Sequence, residues 1–123
     1  MKHLRCVSGC IVSIAFLVSA IPTLRAQDMV KVAPKNCTVL VDNDRVRVVR
    51  VIVKPGEKLE MHSHPANIVY SLTGGKVKHT SPDGKSEERE MKAGTARWSE
   101  PETHASENTG TAESRVLVIE LKK

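Results

Sequence analysis

Met61-His62-Ser63-His64 is the part of the 123-residue sequence with the clearest chemical potential. In an extended strand, residues i and i+2 project from the same face. His62 and His64 therefore point together, close enough to share one ion. A third histidine, His104, follows a turn at Pro101 and opens a late strand, with Asn108 four residues on. Three neutral imidazoles leave the charge of a divalent ion uncompensated, which lowers the pKa of bound water and invites an anionic ligand. Imidazole suits Zn, Fe, Ni and Cu better than Mg or Ca. Three protein ligands also leave open positions, as catalytic sites do. No acid or base with an obvious placement accompanies these histidines other than Glu60 and Glu102. That weakens proton-transfer chemistry and leaves redox or Lewis-acid chemistry as the enzymatic option. His79 has no histidine at i±2 and follows Lys76 and Lys78, so it reads as surface or pocket rim. No nucleophile elbow, phosphate-binding loop or GxGxxG run is present.

Short runs rich in Val, Ile and Leu alternate with Gly, Pro, Asp and Asn clusters, and sustained 3.6-residue periodicity is missing. This is the pattern of an all-β sandwich or barrel. The runs are 38–41, 45–53, 59–64, 67–73, 77–80, 86–92, 95–99, 104–107 and 115–121. In 45–53 the apolar phase changes after position 48, which suggests a bulge or burial on both faces. Ser81-Pro82-Asp83-Gly84 predicts a hairpin, because Pro presets φ and Gly supplies positive φ. The charged run from Lys85 to Glu90 reads as the solvated part of that edge hairpin. So many short strands must close or stack to hide their edges, as in a jelly roll or small barrel.

The first 26 residues combine a short basic start, a 16-residue apolar run from Cys6 to Ile21 and a small-residue end. This is the layout of a secretory signal peptide and is short for a membrane span. Cleavage after Ala26 predicts a secreted or periplasmic protein without a stable membrane span. Removing Lys2, Arg5 and Arg25 leaves 16 basic against 14 acidic residues, a net charge of +2. That gives no electrostatic footprint for nucleic acid. Only Cys37 survives cleavage, so the mature chain has no internal disulfide, and Cys37 reads as a bystander. Tyr70 and Trp98 are the only mature aromatics; they line the pocket or belong to the core.

Gly56, five residues, His62-Ser63-His64 and, further on, Gly74 resemble the first cupin motif. Gly94, Pro101, His104 and Asn108 resemble the second. The resemblance spans roughly 39–121. It implies a cupin-type double-stranded β-helix, a jelly-roll barrel of six to ten strands, holding a metal inside. The organisation is then a signal peptide at 1–26, an N-terminal extension at 27–37 and a cupin domain at 38–123. The family's ligand set is three histidines and one glutamate. Here the glutamate slot holds Asn67, or Ile68 if counted from Gly75. The expected metal ligands are His62, His64 and His104, with Asn67, Glu60, Tyr70 and Trp98 as further pocket residues. The ion is a divalent transition metal: Fe, Zn, Ni, Cu or Mn. The function is that of a small dioxygenase- or isomerase-like metalloenzyme acting on a small molecule. The alternatives are a non-catalytic small-molecule or metal binder and an accessory domain with a vestigial site. A 97-residue barrel gains from added burial, so a homodimer is expected.

Overall fold

Two valine-rich strands organise the protein. In the computed structural model, which describes residues 27–123, Val46–Val53 pairs antiparallel with Ser114–Leu121 over eight residues, from Val53 opposite Ser114 to Val46 opposite Leu121. In chain order the elements are β1 (Gln27–Asp28), α1 (Met29–Val32), β2 (Cys37–Asp42), β3 (Val46–Val53), β4 (Lys58–His64) and β5 (Asn67–Ser71). β6 (Gly75–Thr80), β7 (Ser86–Met91), β8 (Thr95–Ser99), β9 (Glu102–Asn108) and β10 (Ser114–Leu121) complete the chain. One five-stranded sheet runs β1-β4-β9-β6-β7 and the other β2-β3-β10-β5-β8. All pairs are antiparallel except β1 with β4. This is the expected jelly roll. No helix among the described residues is long and apolar enough to cross a membrane. The expected signal peptide lies outside the described residues.

The core is small: Met29, Ala33, Val49, Val51, Leu59 and Val118. Met29 and Ala33 come from the stretch read as an extension, and β1 pairs with β4 at His62 and Ser63. The folded unit therefore reaches back to Gln27. The Asp28 carboxylate caps α1 by accepting from the Val30 amide at 2.9 Å. The phase change in β3 is answered by its partner. Val39 faces Val49 and Val41 faces Val48, so the extra residue is Leu40 of β2. β3 itself keeps one phase. Arg47, on the same row as the buried Val49 and Val51, pairs with buried Glu120.

The predicted hairpin joins β6 to β7. The Gly84 amide bonds the Ser81 carbonyl at 2.9 Å, with Gly84 at φ +85°. Asn108 closes the loop after β9. Its Nδ2 donates to the Val53 and Ala112 carbonyls and its Oδ1 accepts from the Gly110 amide, each at 2.9 Å. The asparagine of the second motif is thus a loop staple.

Candidate metal centre

His62 and His64 occupy alternate positions of β4, and both are buried. Antiparallel pairing puts His104 of β9 directly opposite His62. The ring centroids lie 4.8 Å apart for His62–His64, 4.6 Å for His62–His104 and 5.2 Å for His64–His104. One ring nitrogen from each lies within 4.8 Å of the others. The three histidines expected from sequence thus converge inside the barrel.

Two rings are fixed by oxygen acceptors. His62 Nδ1 donates to the Glu60 carbonyl at 2.6 Å, and His64 Nδ1 donates to Glu120 Oε1 at 3.0 Å. A carbonyl only accepts, so the proton on His62 sits on Nδ1 and its Nε2 keeps a free lone pair. A carboxylate acceptor does the same for His64. This is how metal-binding histidines are oriented. His104 Nδ1 lies 3.3 Å from Glu102 Oε1, and His79 Nε2 lies 3.5 Å from Glu102 Oε2. Both nitrogens are buried without a hydrogen-bond partner. Orphaned imidazole nitrogens beside a histidine triad are the donor chemistry that a transition metal and its ligand satisfy.

Burial, then the neighbouring imidazoles His62, His64 and His79, push His104 down to about 2. Burial dominates the downward shift of His62, outweighing the Glu60 carbonyl. Burial, then Arg89, lowers His79. All three are shifted toward the neutral form, the state a metal needs. Below an ordinary histidine pKa of about 6.5, the unfolded chain then binds more protons than the folded one, and stability falls with pH. Each histidine kept neutral costs up to about 1.4 kcal/mol per pH unit in that range. The chelated protein is therefore expected to show a urea midpoint that drops steadily from pH 7 to pH 5. A flat midpoint would contradict the neutral buried imidazoles. Asp28 does not contribute in that window. Burial raises it, but the Arg47 hydrogen bond and charge prevail and hold it below the usual carboxylate range.

Several pocket expectations need correction. Glu60 is exposed. A one-residue bulge lies between Leu59, opposite Ser106, and His62, opposite His104, and it turns both Leu59 and His62 inward. Glu60 serves the site through its backbone carbonyl alone. Tyr70 is 37% exposed and Trp98 50%, so neither is core nor pocket wall. They are on the same row as Ile68, which pairs with Trp98, while Asn67 and Ser71 of β5 and Ser99 of β8 are buried instead. The barrel interior is polar there, which inverts the usual apolar-inward alternation. Asn67 does fill the glutamate slot, 1% exposed, with its amide nitrogen given to the Pro65 carbonyl at 2.9 Å. His79 is buried, not surface, with its ring centroid 4.0 Å from that of His104. It pairs with Ser106 on β9, two residues from His104, which makes it a diagonal cross-strand neighbour.

Glu120, 2% exposed, escaped sequence reading. It links His64 to Arg47, whose guanidinium also pairs with Asp28. Burial opposes the charge on Arg47, but its bonds to Asp28 and Glu120 prevail and raise its pKa. The sequence signal was an acid in phase with Val116 and Val118 on β10, matched by Arg47 in phase with Val49 and Val51 on β3. Cys37 is half-buried, and its thiol is pushed up to about 11 by burial, then by Asp28. It is an inert thiol, as expected of a bystander.

The histidines line a cavity of about 110 Å³. No protein-family model matches the sequence. No curated protein matches it either. Solved structures do. A cupin domain from Bordetella pertussis Tohama I is 28% identical with a TM-score of 0.66, over 71% of this chain and 92% of that one. An RmlC-like cupin family protein with a double-stranded β-helix fold from Methanocaldococcus jannaschii is 15% identical with a TM-score of 0.57, over 70% and 78%. A predicted oxalate decarboxylase from Thermotoga maritima is 24% identical with a TM-score of 0.51, over 69% and 78%. The described residues have the fold of a small cupin domain. Its particular features are a histidine triad that could hold a metal and an asparagine in the glutamate slot.

Proposed function

We propose that this protein is an exported cupin that holds a divalent transition metal on Nε2 of His62, Nε2 of His64 and a ring nitrogen of His104, and acts as a small metalloenzyme on a small molecule. The observation that carries the reading is the fixing of His62 and His64 by the Glu60 carbonyl and the Glu120 carboxylate, which leaves two Nε2 lone pairs beside His104. When bound, an Fe, Zn, Ni, Cu or Mn ion supplies Lewis-acid or redox chemistry.

The chain's own residues supply the rest. Val51, Val69, Val116 and Val118 give the cavity an apolar wall that excludes water. Glu102 faces the same cavity between His79 and His104, where its carboxylate can take or return a proton. This placement favours a dioxygenase- or isomerase-like enzyme over a non-catalytic binder or a vestigial site. Elemental analysis of protein from its native compartment, with oxygen uptake by the iron-loaded form on candidate phenols and thiols, tests the reading. Near-stoichiometric metal with turnover supports it. Tight ligand binding without turnover under every metal favours the binder, and absence of metal refutes the metal centre.

Export from the cell is inferred from the leader-like first 26 residues. Pairing as a homodimer is supported by the exposed Val39, Val41, Tyr70, Leu72 and Trp98 of one sheet and its loops. Intact mass and sedimentation of the natively produced protein test both. An uncleaved chain or a monomer at micromolar concentration would count against them.

A further inference from the structure

We propose that the barrel interior is a binding site for small monocarboxylates, in which Arg97 takes the carboxylate at the cavity mouth and the histidine end faces the rest of the molecule. This rests on the metal-centre proposal only for the ligand's location in the same cavity.

Strand register sets the arrangement. Directly opposed residues of an antiparallel pair share a face. Arg97 of β8 opposes Val69 of β5, and Arg89 of β7 opposes Val77 of β6. Val69, Val77 and both arginines line the histidine cavity. β7 and β8 are the outer strands of the two sheets, so the barrel opens between them. A second cavity, of about 240 Å³, shares Val69, Val77, Arg89, Met91 and Arg97 with the first. The two arginines therefore flank the passage from outside to the histidines. The charged run read from sequence as wholly solvated sends Arg89 inward.

The two guanidiniums differ in what neutralises them. Arg89 pairs with Glu87. Arg97, exposed at the mouth, has neither an ion-pair partner nor a hydrogen-bonded carboxylate among the described residues; partial burial, then the charge of Arg89, work against its own, and the more distant Glu102 and Glu87 offset this only in part. Two cations beside each other at a cavity mouth, one of them without a directly bonded carboxylate, form an arrangement that an anion relieves. A planar guanidinium matches a carboxylate in a two-pronged hydrogen bond. Beyond it the lining is Val51, Val69, Val77, Met91, Val116 and Val118, which suits an apolar body. Glu102 on the same lining repels a second carboxylate, so a monoanion is favoured over a dianion.

The test titrates the full protein with butyrate and with butyramide, followed by chemical-shift changes, with metal content measured on the same samples. Butyrate is expected to bind at least tenfold more tightly than butyramide. Arg97→Gln is expected to weaken butyrate about tenfold to a hundredfold, the range for a charge-assisted hydrogen bond, with metal content unchanged. Arg97→Lys, which keeps the charge but loses the fork, is expected to fall between. Equal binding of acid and amide, no butyrate binding, or an Arg97→Gln variant equal to the wild type would each overturn the proposal. Arg97-dependent butyrate binding in protein that retains no metal would refute the metal centre and leave the carboxylate site standing.

Discussion

Replacing His62 with alanine is expected to abolish metal retention and, with it, the sensitivity of folding to chelators. A metal present at a thousand times its dissociation constant stabilises the folded state by about 4 kcal/mol. For a domain of this size, each kcal/mol moves Tm by about 4–8 °C. A chelator should then lower the wild-type Tm by on the order of 15 °C or more. His62→Ala should already sit at the lower value and ignore the chelator. The reason is geometric: His62 is 1% exposed, faces His104 across the strand pair, and has its Nδ1 occupied by the Glu60 carbonyl. Circular dichroism distinguishes a folded metal-free variant from an unfolded one. His104→Ala, from the other strand, should behave alike. Wild-type melting curves that coincide with and without chelator would mean that the triad holds no metal.

The second large effect is expected at Glu120. Glu120→Ala leaves His64 Nδ1 without its acceptor and Arg47 with Asp28 alone. Removing one partner of a buried ion pair costs about 3–5 kcal/mol when the other charge is left uncompensated; Arg47 keeps Asp28, so the loss is expected at about 3 kcal/mol or less. Loss of an oriented carboxylate behind a metal ligand costs about tenfold to a hundredfold in metal affinity. The two effects separate in a double variant. Glu120→Leu with Arg47→Met removes both charges, so stability should recover in large part, while metal affinity stays low. Full metal affinity in Glu120→Ala would show that His64 needs no carboxylate behind it. Glu120, Arg47 and Asp28 together carry one net negative charge next to His64. In a chain whose glutamate slot holds Asn67, that is where compensation for a cation resides.

Glu120 also marks the limit of sequence reading. An acid within Val116-Leu117-Val118-Ile119-Glu120 is in phase with Val116 and Val118, but Leu117 and Ile119 make the other row equally apolar, so nothing local says which row turns inward. Its reason for doing so, His64 and Arg47, lies 56 and 73 residues away. Asn67-Ile68-Val69-Tyr70-Ser71 misleads for a related reason. Its more apolar row, Ile68 and Tyr70, points out, while Asn67, Val69 and Ser71 face in, because pairing with β10 and β8 fixes which row turns inward. Arg97 misleads in the same way: Thr95–Ser99 alternates with Ala96 and Trp98 as its apolar row, yet that row points away from the cavity and Arg97 lines it.

The part of this protein determined by sequence alone is local. Alternation along single strands, the turn at Ser81–Gly84 and the i, i+2 spacing of His62 and His64 come from backbone geometry within a few residues. Together with the motif spacing they sufficed for the all-β barrel and for the meeting of His62 and His64 with His104. Only the tertiary structure decided which row of each strand faces inward. That choice is fixed by pairing between distant strands and by single-residue bulges, and each bulge reverses the facing of the residues beyond it. The bulge after Leu59 sent Glu60 out, and the registers of β6, β7 and β8 brought His79 and Arg89 in and set the exposed Arg97 at the cavity mouth.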